Sequence, residues 1–245
     1  MNIEETKICC SIAIKDFALV KYHFEYSEDK QIIDLFVEEG LELAKKLDDT
    51  LARDSSRKRG FSTIQANAIA GNIAEYVWRE WLKIYAAKNT AVLSVNKTEP
   101  TDIKNQIDIE IVYGDTSKKS LEVRSSFPYT GIQNGVCRVF DIIGWYVNEV
   151  KRLEVKKDYY TRCLFPYYAS DFLKLTEKQF DVYLTGGATK LMLETSSHAK
   201  DKEFIPFDER DEIAFGGTFT KYRVIEPIIN ADNTVQISEK IIKGL

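Results

Sequence analysis

The spacing of apolar residues changes period several times along the chain. Residues 7–25, KICCSIAIKDFALVKYHFE, alternate in part and predict one or two strands. Between 28 and 53 the apolar residues fall at Ile32, Ile33, Phe36, Val37, Leu41, Leu43, Leu47 and Leu51, with charges between them. That is the spacing of an amphipathic helix. RDSSRKRG at 53–60 breaks the pattern. A second long helix follows over 62–87, with Ile69, Ile73, Val77, Trp81 and Ile84 on one stripe. AVLSV at 91–95 predicts a short strand. QIDIEIVYGD at 106–115 predicts an alternating strand ending in a Gly-Asp turn, and KKSLEVRSSF at 118–127 the second arm of a hairpin. Beyond 128 the signal weakens. FDIIGWYV at 140–147 suits strand or helix. Strands are expected at 158–168 and 219–228, short helices at 171–180 and 188–196, and a strand with a Gly-Gly turn at 181–187. SSHAKDK at 196–202 reads as a polar loop.

Strand parity then places specific side chains. Alternate residues of a strand share a face. Ile107, Ile109, Ile111 and Tyr113 therefore point one way, and Asp108 and Glu110 the other. On the next strand Leu121 and Val123 share the apolar face, while Lys118, Ser120, Glu122 and Arg124 share the polar one. Packing both apolar faces on one core layer puts Asp108 and Glu122 side by side on adjacent strands. Two such carboxylates repel unless a cation lies between them, and Mg²⁺ takes one or two carboxylates plus waters and phosphate oxygens. On the second helix, Gly71, Glu75, Trp78 and Leu82 form a stripe that sets Glu75 among apolar neighbours. A partly buried carboxylate of that kind needs a partner, and Gly71 leaves room for one to approach.

Composition narrows the chemistry. Hydrophobic residues make up 44% and charged residues 29% of 245, which is globular rather than disordered usage. No apolar run reaches the roughly 18 residues of a membrane helix. The N-terminus shows no basic-then-apolar leader. A cytoplasmic protein without membrane association is the expectation. Cys9, Cys10, Cys137 and Cys163 form no CxxC and are expected to be reduced, mostly buried thiols. Only two histidines occur, His23 and His198, neither in a motif. That excludes sites built on clustered imidazoles, so hydrolytic chemistry here would rest on carboxylates and a hard metal. The net charge of −4 decides nothing about nucleic acid, because phosphates respond to local patches. The densest such patch is Arg53, Arg57, Lys58 and Arg59, which is either a solvated loop or a phosphate contact. TGGATK at 185–190 lacks the spacing of a phosphate-binding loop.

The order of helix with GNIAEYVWREWL, short strand, QIDIEIVYGD and a strand with LEVRSS resembles the PD-(D/E)xK superfamily of restriction-endonuclease-like nucleases. The resemblance covers about 64–127. It implies a core of helix, three strands, helix and strand. The fold expected is a mixed α/β (α+β) one, with a central mixed sheet flanked by helices. An N-terminal strand and helix extension (1–60) precedes a nuclease-like core (61–170), and a C-terminal α/β extension (171–245) packs on it, all within one compact domain. Asp108 matches the motif Asp, Glu122 the motif acid, Val123 the intervening residue and Glu75 the helix Glu. The family implies Mg²⁺, with Mn²⁺ able to substitute, on Asp108, Glu122 and the Val123 carbonyl. Glu75 would position a second metal or a water. Arg124 stands where the family has Lys. Arginine cannot act as a base, but its fork can hold a phosphate. Lys118 or Lys104 could instead migrate into the site. Ser125 and Ser126, opening the polar stretch SSFPYTGIQNG, are expected to border the site with Arg57, Lys58 and Arg59 as nucleic-acid contacts, and Tyr129 and Gln133 are further candidates. Trp145 and Tyr146 suit either the core or base stacking. The function implied is a metal-dependent DNA endonuclease, such as a type II restriction or phage-defence enzyme, acting as a symmetric homodimer, with RNA an open alternative as substrate. The competing readings are a catalytically degenerate protein on the same fold that binds nucleic acid, and an unrelated α+β interaction protein.

Overall fold

A computed structural model describes residues 1–11, 14–46, 60–98, 108–128, 130–147, 155–204 and 220–245. The chain opens with an antiparallel hairpin, β1 (Asn2–Cys10) and β2 (Lys15–Glu25). β2 is apolar on both faces. Phe17 and Leu19 point into one core, and Val20, Tyr22 and Phe24 into another. Two long helices follow, α1 (Tyr26–Lys46) and α2 (Phe61–Lys88). They cross so closely at Gly40 that a Cβ there would lie 2.8 Å from the Ile69 backbone.

The predicted hairpin is present as β4 (Ile109–Tyr113) and β5 (Lys118–Ser126), with β3 (Leu93–Lys97) antiparallel to β4. After β5 come a helical turn, Ile132–Asn134, and a π-helical turn, Gly135–Val139. β6 (Ile142–Tyr146) and β7 (Tyr159–Leu164) follow, and β7 runs parallel to β5. Every residue of β7 is buried, as expected for a central strand covered on both faces. The rest of the chain forms α3 (Ala169–Leu175), β8 (Gln179–Thr189), α4 (Lys190–Thr195), β9 (Ala199–Phe204), β10 (Thr220–Ile225) and α5 (Thr234–Ile242).

The result is a mixed α/β fold. Its central seven-stranded mixed sheet has the order β1-β2-β8-β7-β5-β4-β3, and a second sheet has the order β6-β10-β9. The large sheet takes strands from each of the three stretches distinguished in the sequence. One face carries the larger core, built from α2 (Ile69, Ile73, Val77, Trp78) against Ile109, Ile111, Leu121 and Val123. The other carries Phe17, Tyr160 and Leu164 against Ile142, Trp145 and Ile225 near the small sheet. No helix among the described residues is long and apolar enough to cross a membrane.

Several sequence expectations are corrected. SSHAKDK is a loop only in part, because its second half enters β9, a strand recruited by pairing with β10. The Gly-Gly at 186–187 is not a turn, since β8 continues through it to Thr189. The glycines serve close approach instead. Gly186 has φ +90°, and a Cβ on it would stand 2.1 Å from the Asp232 carbonyl. Gly187 exchanges backbone hydrogen bonds with Asp232 at 3.0 and 3.1 Å. The four cysteines are free, with only Cys9 exposed.

Candidate carboxylate site

The strand parity expected for β4 and β5 is present. Leu121 and Val123 lie buried beneath α2, which turns Glu122 and Arg124 to the opposite face of β5. Ile109 pairs with Leu121, so Asp108, one residue before β4, falls beside Glu122. Asp108 is tied to the motif strand directly. The Val123 N–H donates to its Oδ2 at 2.7 Å. For Val123, then, it is the amide that the structure engages with Asp108. Arg124 reaches back along its own strand, its Nη2 3.6 Å from Glu122 Oε1.

Glu75 enters from α2, one turn before the fully buried Trp78. Glu75, Asp108 and Glu122 each keep a little surface, yet enough protein surrounds the first two to strip much of their hydration. Loss of water pushes the Asp108 carboxyl well above the usual range, and the charges of Glu122 and Glu75 push it further. The Val123 N–H and the Arg124 charge oppose this and do not overcome it. Glu75 is raised to about 7, again chiefly by desolvation, with Lys97 and Arg79 drawing it down and Glu122 and Glu39 pushing it up. Three carboxylates thus share one field. They do not collapse into one tight cluster, for among the described residues no three His, Cys, Asp or Glu side chains are grouped to hold a single ion.

The donor set fits a hard cation better than a soft one. Asp108 and Glu122 are adjacent oxygen donors, no thiol or imidazole joins them, and their mutual repulsion is what a divalent cation relieves. Of the lysines considered for migration, Lys118 is committed elsewhere: its Nζ contacts both Glu110 oxygens at 3.0 and 3.1 Å, near the far end of β5. Lys104 lies outside the described residues, as do Arg53, Arg57, Lys58, Arg59 and Tyr129. Lys97 is the cation that sequence reasoning missed. It ends β3 opposite Ile109, bonds Glu39 of α1 at 2.7 Å and acts electrostatically on Glu75. Its apolar-polar-polar surroundings, LSVNK, carry no motif, so only the pairing of β3 with β4 could reveal it.

The neighbouring candidates divide. Ser125 and Ser126 belong to β5 itself, paired with Cys163 and Leu164, and the Ser126 hydroxyl donates to the Ser125 carbonyl at 2.7 Å. Gln133 donates its amide to the Cys9 carbonyl at 2.7 Å, which ties it to β1. Trp145 is buried against Tyr160, so core packing accounts for it. Tyr146 packs on Tyr222 with ring centroids 4.2 Å apart. Of the histidines, His23 bridges Asp181 (2.8 Å) and Glu25 (3.4 Å) on β2, on the far side of the sheet from β4 and β5.

The face beside Glu75 is open at one point. A Cβ built on Gly71, one turn before Glu75, meets nothing within 4 Å. Gly71→Ala is therefore expected to raise stability by about 1 kcal/mol through helix propensity. Urea unfolding of the two proteins measures it, and a loss of stability would mean that this face is covered.

No protein-family model matches the chain, and comparison with curated proteins and with solved structures likewise finds no match.

Proposed function

We propose that the chain is a divalent-metal-dependent nuclease of the PD-(D/E)xK type that hydrolyses phosphodiester bonds in DNA. The observation that carries this reading is the placement of Asp108 beside Glu122 across β4 and β5, with Asp108 locked to the motif strand by the Val123 amide. Element order supports it. A helix (α2), three antiparallel strands (β3, β4, β5), a helical stretch (132–139) and a strand parallel to the third (β7) follow in the sequence expected of that core, with β6 added before the last.

In this reading Asp108 and Glu122, with the Val123 carbonyl, hold Mg²⁺ or Mn²⁺. Bound there, the cation would supply Lewis acidity. Glu75 orients a water from the α2 side. Arg124, already within reach of Glu122, holds the phosphate and offsets charge developing on it, a role its planar, permanently charged fork suits. It does not remove a proton.

The test is incubation of the pure protein with supercoiled and linear DNA in Mg²⁺, Mn²⁺ or EDTA, beside Glu122→Ala. Metal-dependent cutting that disappears in Glu122→Ala is the expected result. Binding of DNA without cutting on any substrate, modified DNA included, would instead favour the degenerate binding protein, and a lack of both binding and cutting would overturn the nuclease fold as a guide to function.

A further inference from the structure

Arg124 stands where the PD-(D/E)xK pattern has lysine, and the small sheet holds a residue that bears on this difference. Tyr222 lies in the middle of β10, hydrogen-bonded between β9 and β6, and is fully buried. Its ring packs against Tyr146. The guanidinium carbon of Arg124 stands 5.4 Å from the Tyr222 ring centroid. The β10–β6 register shifts between Tyr222 and Val224, the kind of irregularity that re-aims a side chain.

We propose that Tyr222 is the positioning residue for Arg124: its ring fixes the guanidinium from the small-sheet side while Glu122 fixes it from within β5. The inference rests on the nuclease reading for its catalytic meaning, but not for its geometry. A guanidinium is planar and weakly hydrated, so it stacks on an aromatic face at little cost. An ammonium is compact and strongly hydrated and gains less from the same platform. A site whose wall is a tyrosine thus selects arginine. The departure from lysine then follows from the added sheet, and the sheet acquires a function: it holds the phosphate-binding cation in register with Asp108 and Glu122.

Two measurements on the full chain test this. The first is NMR of arginine side-chain N–H groups, with the Arg124 signal assigned by its loss in Arg124→Lys. The wild-type Arg124 signal is expected to be displaced by the ring current of Tyr222 and protected from exchange. Tyr222→Phe keeps both features. A ring-fluorinated phenylalanine at 222, which preserves shape while reversing the ring's charge distribution, loses the protection. The second is single-turnover DNA cleavage. Tyr222→Phe is expected to cut at the wild-type rate, and the fluorinated variant about tenfold more slowly, consistent with the range of cation–π contributions at desolvated sites. In an Arg124→Lys background the fluorinated ring has a smaller effect. An undisplaced Arg124 signal in the wild-type protein, or a fluorinated variant that retains its protection, overturns the proposal. If the wild-type protein cuts no DNA while the NMR results hold, the nuclease reading fails and the positioning role stands.

Discussion

Metal-free Asp108→Asn protein is expected to be more stable than the parent at pH 8, and to have lost metal-dependent cleavage by at least about a hundredfold. The two effects have one origin. Desolvation, Glu122 and Glu75 together hold the Asp108 carboxyl well above its ordinary range. The folded protein therefore binds that proton more tightly than the unfolded chain does. The associated stability is complete at low pH, below the unfolded carboxylate range, and is lost as pH rises through the raised folded value. The cost grows as pH rises above the unfolded carboxylate range. Asparagine removes the charge, keeps the shape and leaves an amide oxygen to accept from the Val123 N–H. Glu75→Gln should act in the same direction. Glu75 moves from 4.5 to about 7 on folding, so the cost develops between those values and is on the order of 3 kcal/mol above them. Mg²⁺ supplies the same relief by another route. At about a hundred times its dissociation constant it should stabilise the parent by about 3 kcal/mol and the Asn variant hardly at all. Urea unfolding of both proteins, with and without Mg²⁺ and across pH 4 to 8, measures every term. A less stable Asp108→Asn protein, or equal stabilisation of both by Mg²⁺, would show that these carboxylates are not a strained cation site.

The placement of these carboxylates was legible because each of its parts is a local signal. Period-2 alternation in IDIEIVY and LEVRSS puts Asp108 and Glu122 on one side, and the 3.6 period of α2 puts Glu75 one turn from Trp78. The β4–β5 register and the burial of Leu121 and Val123 agree with both. What escaped the sequence depends on partners distant along the chain. AKDKEF has no apolar alternation, and it becomes β9 only because β10 offers hydrogen bonds to it. Lys97 acquires its place near Glu75 through β3 pairing, and Tyr222 meets Arg124 across a separation of about a hundred residues. The Gly186–Gly187 pair read as a turn because glycine signals turns locally, whereas here it admits the 232–233 backbone. One omission did carry a local signal. Asn233 and Gln236 form a capping box at the start of α5, and N-x-x-Q before Ile237 is the pattern such a box leaves in a sequence.

Gly186→Ala is expected to destabilise the protein by about 3 kcal/mol or more, the upper end of single-substitution effects. Two costs coincide there. At φ +90° an L side chain is strained whatever the available space, and the new methyl would lie 2.1 Å from the Asp232 carbonyl oxygen, which is backbone and cannot rotate away. The chain at 232–233 must therefore retreat, and it is the root of α5. That helix is clamped on three sides. The Thr234 hydroxyl donates to the Leu184 carbonyl at 2.7 Å, the Trp81 indole N–H donates to Ser238 at 2.8 Å, and the Tyr113 hydroxyl donates to the Ile241 carbonyl at 2.6 Å. These bonds join α5 to β8, α2 and β4, the last two being the elements that carry or adjoin Glu75 and Asp108. Displacing α5 frees Trp81, less than two turns beyond Glu75, from its buried partner. Gly186→Ala should therefore lower the unfolding midpoint and shift Trp fluorescence toward that of exposed indole before global unfolding, whereas Gly71→Ala on the same α2 raises the midpoint. A Gly186→Ala protein as stable as the parent would show that the close approach of the 232–233 backbone to β8 does not constrain this position.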